Sequence, residues 1–224
     1  MEFGLSQEQV ILEESVRKCL SSEVPLDAVR AVASGEPTDA GIWQSLAEMG
    51  LAGVLIPEAH GGAGLGMLDA VVIAEALGYA ACPGPFLSSS VMASYLLNES
   101  GATDPLARMA AGEYRVGIAF GDAIGARKGQ VSESGSALTG QTLFALDAEA
   151  DAYLVALNDG RVFMVETSAL TRVSLTTIDH TRSVCELNFD ASPACLVTDD
   201  VALLKQTILR GRAIRSEEHT SQLQ

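Results

Sequence analysis

Apolar positions recur along this chain with two different periods, and the change from one to the other divides it. Up to about Gly112 they return every three or four residues, the spacing of one helix face. Ser6-Gln7-Glu8-Gln9 fits a capping box, in which Ser and Gln side chains each satisfy a free N–H at the helix start. Val10, Leu12, Val16, Cys19 and Leu20 then form the apolar face. Thr38 or Asp39 can cap a second helix through Trp43, Leu46 and Ala47, with Gly50 ending it. Asp69 to Tyr79 reads as a third helix, apolar nearly all round and so expected to be buried on most sides. Leu87 to Leu97 is a fourth. Asp104-Pro105 opens a short fifth, with Pro at its first position and Gly112 closing it.

Beyond Gly112 the period falls to two. Tyr153 to Leu157 and Arg161 to Val165 are strand-rich runs flanking Asn158-Asp159-Gly160, a hairpin signal whose glycine can take positive φ. Cys185, Leu187 and Phe189 alternate with polar Glu186 and Asn188, so one face is buried and one wet. Gly129 to Phe144 is turn-rich with short strands. No helical pattern separates these strands, which predicts an antiparallel sheet. From Val201 to Ile214 the helical period returns, with Val201, Leu204 and Ile208 on one stripe. The fold class expected is α+β: an all-α domain over 1–113, an antiparallel β-barrel or sandwich over 114–199, and the start of a further helix over 200–214.

Composition narrows the function classes. The chain has 224 residues, 48% of them apolar, enough for a real core. Its net charge of −15 argues against nucleic acid and against anionic membrane surfaces, both of which need clustered Lys and Arg. Cys19, Cys82, Cys185 and Cys195 form no C-x-x-C pair and lie far from the three histidines, so a metal site is not expected. The N-terminus has early acids and no apolar core of a signal peptide, and no run approaches a membrane span. The compartment expected is the cytoplasm.

One stretch raises the question of a phosphate-binding loop: Gly53 to Gly66, GVLIPEAHGGAGLG. A dinucleotide fold needs a strand, a glycine loop and a helix within repeated βαβ units. Here Pro57-Glu58-Ala59-His60 interrupts the approach, the third glycine is misplaced, and no parallel strands follow. The stretch reads as a tight turn between helices instead. Asp179-His180-Thr181-Arg182 reads as a loop in which Asp179 pairs with Arg182, not as acid–base machinery. His60 is a polar loop residue, Glu13-Glu14 a solvated face, and Asp199-Asp200 a cap.

Three ordered groups of residues resemble the acyl-CoA dehydrogenase family. The first is Gly50-Leu51-Ala52-Gly53, Ile56-Pro57-Glu58, Gly61-Gly62-Ala63-Gly64 and Ala74-Glu75-Ala76-Leu77-Gly78. The second is Leu138-Thr139-Gly140 with Ala150-Asp151-Ala152-Tyr153-Leu154-Val155. The third is Asp179-His180-Thr181-Arg182 with Leu187-Asn188-Phe189-Asp190. The resemblance implies an FAD enzyme acting on an acyl-CoA thioester and passing electrons to an electron-transfer flavoprotein. It implies a homo- or hetero-oligomer, with FAD lying between the β domain and a C-terminal helical bundle. A carboxylate would take the α-proton while a hydride leaves the β-carbon. That base is expected in the bundle, so no catalytic residue is assigned within this chain, and FAD binding by this chain alone is expected to be weak.

The implied cofactor-binding residues are Phe120, Gly121, Gly125, Phe144, Ala145 and Leu146, with Ala126 toward the substrate. They depart from the family pattern. The Thr-Glu-Pro-x-Ala-Gly-Ser segment becomes Phe120 to Ala126, with only Gly125 kept. The strand Gly-x-Lys-x-Trp-x-Thr becomes Gly140 to Leu146, where Phe144 keeps an aromatic ring and Leu146 loses a hydroxyl. Two alternatives therefore stand beside a catalytic subunit: a non-catalytic partner of a heteromeric dehydrogenase, and a flavin oxidase or monooxygenase on the same fold. Finally, Arg215 to Gln224 (RSEEHTSQLQ) breaks the stripe of the last helix and resembles a translated sequencing adapter. That tail is expected to be disordered, and the helix before it to fray, or to lie against the β domain or another chain.

Overall fold

A computed structural model describes residues 4–36, 40–123 and 130–221, the side chains of 40 and 219–221 excepted. Helices come first: α1 Gln7–Glu23, α2 Leu26–Ala33, α3 Ala40–Glu48, α4 Met67–Tyr79, a π-helix Phe86–Ala93 running into α5 Ser94–Ser100, and α6 Leu106–Ala110. Strands follow: β1 Val116–Ala119, β2 Ser132–Ser134, β3 Ala137–Leu146, β4 Ala152–Ala156, β5 Val162–Glu166, β6 Thr171–Leu175, β7 Val184–Pro193 and β8 Cys195–Thr198. A last helix, α7, spans Val201–Ser221.

The locally encoded elements form as the sequence predicts. Ser6 Oγ accepts from the Gln9 amide at 3.2 Å, and Gln9 Oε1 accepts from the Ser6 amide at 3.0 Å, completing the capping box. Val16 and Leu20 turn inward while Val10 stays 40% exposed, so the buried face of α1 is narrower than expected. Helix α4 is buried on most sides, at Ala70, Val72, Ile73, Ala74, Ala76 and Leu77. Helix α2 has no counterpart in the sequence reading, because eight residues behind Pro25 hold only two turns of pattern. The caps expected at Thr38 and Asp39 lie outside the described residues. Pro105 stands at the N-cap of α6, one place before the position expected.

The fourth helix begins as a π-helix. Within it Ser94 Oγ donates to the Ser89 carbonyl five residues back at 2.8 Å, and Ser89 Oγ accepts from the Val116 amide at 3.2 Å. The first hydroxyl joins the Ser94 amide on the same carbonyl, and the second ties the helix to the first strand.

The strand order is β6-β7-β3-β1-β4-β5-β8, with β2 pairing on β3. The β4–β5 hairpin pairs Tyr153 with Val165 and Ala156 with Val162, and Gly160 takes φ +92. Cys185, Leu187 and Phe189 are buried, as their alternation requires. The expectation of a wholly antiparallel sheet needs correction. Strand β1 pairs with β4 in parallel, Val116 opposite Ala152 through Ala119 opposite Val155. The reason is insertion: β3 and β4 run in opposite directions and β1 lies between them. A strand flanked by two opposed neighbours is antiparallel to one and parallel to the other.

Three apolar cores result. One joins α1, α3 and α4. One lies on the sheet, around Leu138, Tyr153 and Leu187. Between them a third joins Met92, Leu96 and Leu97 to Val116, Ile118, Leu154 and Val162. Helix α7 also differs from expectation. It packs on α4, the π-helix and α5, with Leu203, Leu204, Thr207 and Ile214 buried, while Val201 and Leu209 are 41% and 61% exposed. The inward stripe therefore runs through 204, 207, 211 and 214, and Gly211 lets α7 approach Met92. Disorder of the tail does not hold through Ser221. The helix continues, and Glu218 is buried in an ion pair with Arg182. Among the described residues no helix is long and apolar enough to cross a membrane, and no His, Cys, Asp and Glu cluster could hold a metal.

Candidate functional site

The glycine-rich stretch is a structural turn. Gly62 N donates to Pro57 O at 3.2 Å, and Ala63, Gly64 and Leu65 donate to Gly53, Ile56 and Val54 carbonyls, each at 2.9 Å. Its amides are turned onto its own backbone and are not offered to a phosphate. Asp179 pairs with Arg182 as expected, at 3.9 Å, and Asp200 Oδ1 caps α7 by accepting from the Ala202 amide at 2.7 Å. All four cysteines are free, and burial pushes the Cys82 thiol up to about 12, which removes it as a nucleophile at neutral pH.

The residues singled out on β1 and β3 converge, but in different orientations. Phe120 is buried in the middle core, with 4% of its surface exposed, so its ring is not offered to a ligand. Gly121 lies against β3, where a Cβ would come 3.0 Å from the Leu143 carbonyl. Asp122 Oδ1 accepts from Thr142 Oγ1 at 3.5 Å, tying the same turn to the strand. Strand β3 shifts register against β7 between Thr142 and Ala145. That irregularity puts Phe144 at φ +60, a conformation a bulky residue rarely adopts, and leaves the residue 47% exposed. Ala145 points into the sheet core and is fully buried. Gly125 and Ala126 lie outside the described residues.

Leu146 leads to a cavity that the sequence did not disclose. It measures about 380 Å³ and lies between the start of the π-helix, the end of β3, the loop before β7 and Arg215 of α7. Leu87, Leu146 and Val184 are apolar wall residues; Ser88 and Asp147 are polar ones. A second cavity of about 300 Å³ shares Gly84, Asp147 and Ser183 with it and reaches Trp43 and Arg115. The signals for these residues were faint: three serines inside an apolar run, and an aspartate directly after Leu146.

Asp147 sits where the two cavities meet, at φ +68. Its Oδ1 accepts from the Glu149 amide at 3.1 Å; its Oδ2 is buried without a hydrogen bond, 3.8 Å from Arg115 Nε. Burial raises its carboxyl above the ordinary value, and the Arg115 charge only partly opposes this. The folded state therefore keeps this proton to higher pH than the unfolded chain does, and stability falls as pH rises through that window. Asp147→Asn keeps an acceptor for the Glu149 amide and removes the ionisation. Thermal melts should show the variant gaining on the parent as pH rises from acid to neutral. A difference that is constant with pH would mean that Asp147 titrates normally.

An exposed aromatic ring on a bulge fits one face of a flat aromatic cofactor such as a flavin. No side-chain donor is supplied at Phe120 or Leu146, so polar contacts from this wall would come from the backbone.

Comparison with known proteins places this architecture. Residues 6–113 match the family described as acyl-CoA dehydrogenase, N-terminal domain. Acyl-CoA dehydrogenase IpdE2 of Mycolicibacterium smegmatis is 37% identical over 110 residues, which are 48% of this chain and 35% of that protein. The mitochondrial long-chain specific acyl-CoA dehydrogenase of Sus scrofa is 34% identical over 95 residues, 42% of this chain and 22% of that one. Among solved structures, the steroid ACAD Tcur3481-Tcur3483 superposes on 95% of this chain and 62% of its own, with a TM-score of 0.82 and 26% identity. Glutaryl-coenzyme A dehydrogenase in its glutaryl-CoA complex has the same fold, with a TM-score of 0.84 at 18% identity over 99% of this chain and 65% of its own. The chain belongs to the acyl-CoA dehydrogenase family. It aligns with about a third of the length of the first curated relative.

Proposed function

We propose that this chain is part of an FAD-dependent dehydrogenase that introduces an α,β double bond into a fatty or sterol-derived acyl-CoA. The observation that carries the reading is Phe144, an aromatic residue left exposed by a bulge two positions before Leu146, which lines the larger cavity. In this reading the turn at Gly121 and the strand Phe144-Ala145-Leu146 form one wall for the flavin. Phe144 lies against the ring system, while Gly121 and Ala145 contribute backbone only. FAD, when bound, supplies the two-electron acceptor for the β-hydride. The cavity at Leu87, Leu146 and Val184 takes the acyl group and excludes water from it, which strengthens polar contacts at the reacting centre. The α-proton goes to a carboxylate from outside these 224 residues, consistent with the share of its relatives that the chain spans. Electrons leave to an electron-transfer flavoprotein, and the working form is an oligomer.

A second reading rests on Phe120 and Leu146. The first ring is buried and the second side chain cannot donate a hydrogen bond. Both fit a subunit that completes a neighbour's site without catalysing the reaction itself. Flavin fluorescence titration tests the wall. FAD is expected to bind the chain weakly, and Phe144→Ala to weaken it at least about fivefold, the order of one lost aromatic contact. Equal binding by the parent and the variant would remove β3 from the flavin site.

A further inference from the structure

The β6–β7 hairpin closes with an eight-residue loop, 176–183, between the paired residues Leu175 and Val184. Hairpin loops commonly need only about two to five residues. This loop folds over the cavity, and Thr177, Ile178, Asp179, Arg182 and Ser183 all line it.

The two ends of this loop are held differently. From Asp179 onward it is tied down. The Asp179 carboxylate accepts from the Thr181 amide at 3.1 Å and hydroxyl at 2.6 Å. The Ser183 carbonyl accepts from the Asp147 amide at 3.0 Å, and its Oγ accepts from the Ala148 amide at 3.1 Å. His180 reaches across to α2, with Nδ1 3.0 Å from the Ala33 carbonyl, a bond in which Nδ1 carries the proton. Among the described residues the leading part has one hydrogen bond, Thr177 Oγ1 donating to the Asp179 carbonyl at 2.9 Å. Next to it Ile178 is exposed at 103%, as open as in an extended peptide. A scattered exposed isoleucine means little. This one stands on the rim of a cavity whose wall includes Leu87, Leu146 and Val184.

We infer that residues 176–178 form a strap over this cavity, and that Ile178 seats on the acyl group bound there and favours apolar acyl groups over polar ones. This rests on the thioester reading above. An anchored base beside a lightly tethered apolar tip lets the tip move without disturbing the sheet. The movement gains burial for Ile178 and for the ligand together, whereas an empty cavity offers the side chain less to cover.

The test uses the whole chain, with decanoyl-CoA and free CoA as probes. Decanoyl-CoA should slow amide hydrogen exchange across 176–178, and free CoA should not. Ile178→Ser should weaken decanoyl-CoA binding about tenfold, the order of one apolar side chain's burial, and leave free CoA unchanged. Ile178→Leu should restore most of the affinity. Because Ile178 is fully exposed, neither substitution threatens folding. If decanoyl-CoA binds but exchange at 176–178 and the affinity of Ile178→Ser are both unchanged, the strap is wrong and the thioester reading stands. If the parent chain binds neither probe, both fall.

Discussion

Gly62→Ala is expected to destabilise the protein by about 3 kcal/mol or more, at the upper end of what overpacking costs. A Cβ at Gly62 would stand 2.1 Å from the Ile56 carbonyl oxygen, 2.5 Å from its Cβ and 2.6 Å from its carbonyl carbon. None of these atoms is the free end of a side chain. Ile56 is fully buried, and its carbonyl already accepts from the Gly64 amide at 2.9 Å. The four amide bonds of the turn hold both sides of the contact, so relief would break some of them. The neighbouring glycine is the control. Gly61 has φ +78 and nothing within 4 Å of its would-be Cβ, so Gly61→Ala should cost only about 1 kcal/mol of left-handed strain. Urea unfolding followed by the fluorescence of Trp43, the single tryptophan, measures both. Equal costs at the two positions would mean that the close approach at Gly62 is absent. The residue that looked like a phosphate contact is on this account a packing device.

Leu154→Ala should cost about 3–4 kcal/mol, within the range for leucines in well-packed cores. Leu154 is fully buried in β4, in the core that joins Met92, Leu96 and Leu97 to the sheet and receives Leu203 and Leu204 of α7. The cavity would therefore open at the seam between helices and strands. Trp43 lies on the helical side, and its Nε1 donates to the Gly112 carbonyl at 3.2 Å. A substitution in β4 should lower the midpoint seen by Trp43 as much as that seen by far-ultraviolet circular dichroism, because the shared core couples the two halves. Unfolding of the sheet that left the Trp43 transition in place would show that the helical half is stable alone.

Some of the site's elements follow from local patterns. Alternation from Cys185 to Phe189 marks a strand with one buried face, and β7 bears that out. The outward turn of Phe144 does not follow from such a pattern. Regular alternation would put residues 144 and 146 on one face and 145 on the other, and the register shift decides how far Phe144 swings out. Phe120 shows the same limit. Its place in the resemblance is right beside the strand, yet its ring is taken up by the middle core.

By itself the sequence determined what depends on neighbours a few residues apart. The capping box at Ser6, the buried length of α4, the β4–β5 hairpin and the Asp200 cap rest on i to i+3 or i+4 contacts, or on one turn's geometry. Tertiary structure alone decided the parallel pairing of β1 with β4, the π-helical start of the fourth helix, and the partners of α7. It also decided that Leu87, Leu146, Asp147 and Ile178 share one cavity. The physical reason is the same in each case. Insertion of β1 between β3 and β4 costs loop-closure entropy and is rewarded only by contacts between residues some thirty positions apart. Which stripe of α7 turns inward depends on where α4 and the π-helix leave room, as Gly211 against Met92 makes plain. A cavity is likewise the space that four separate segments fail to fill, and no one segment carries its shape.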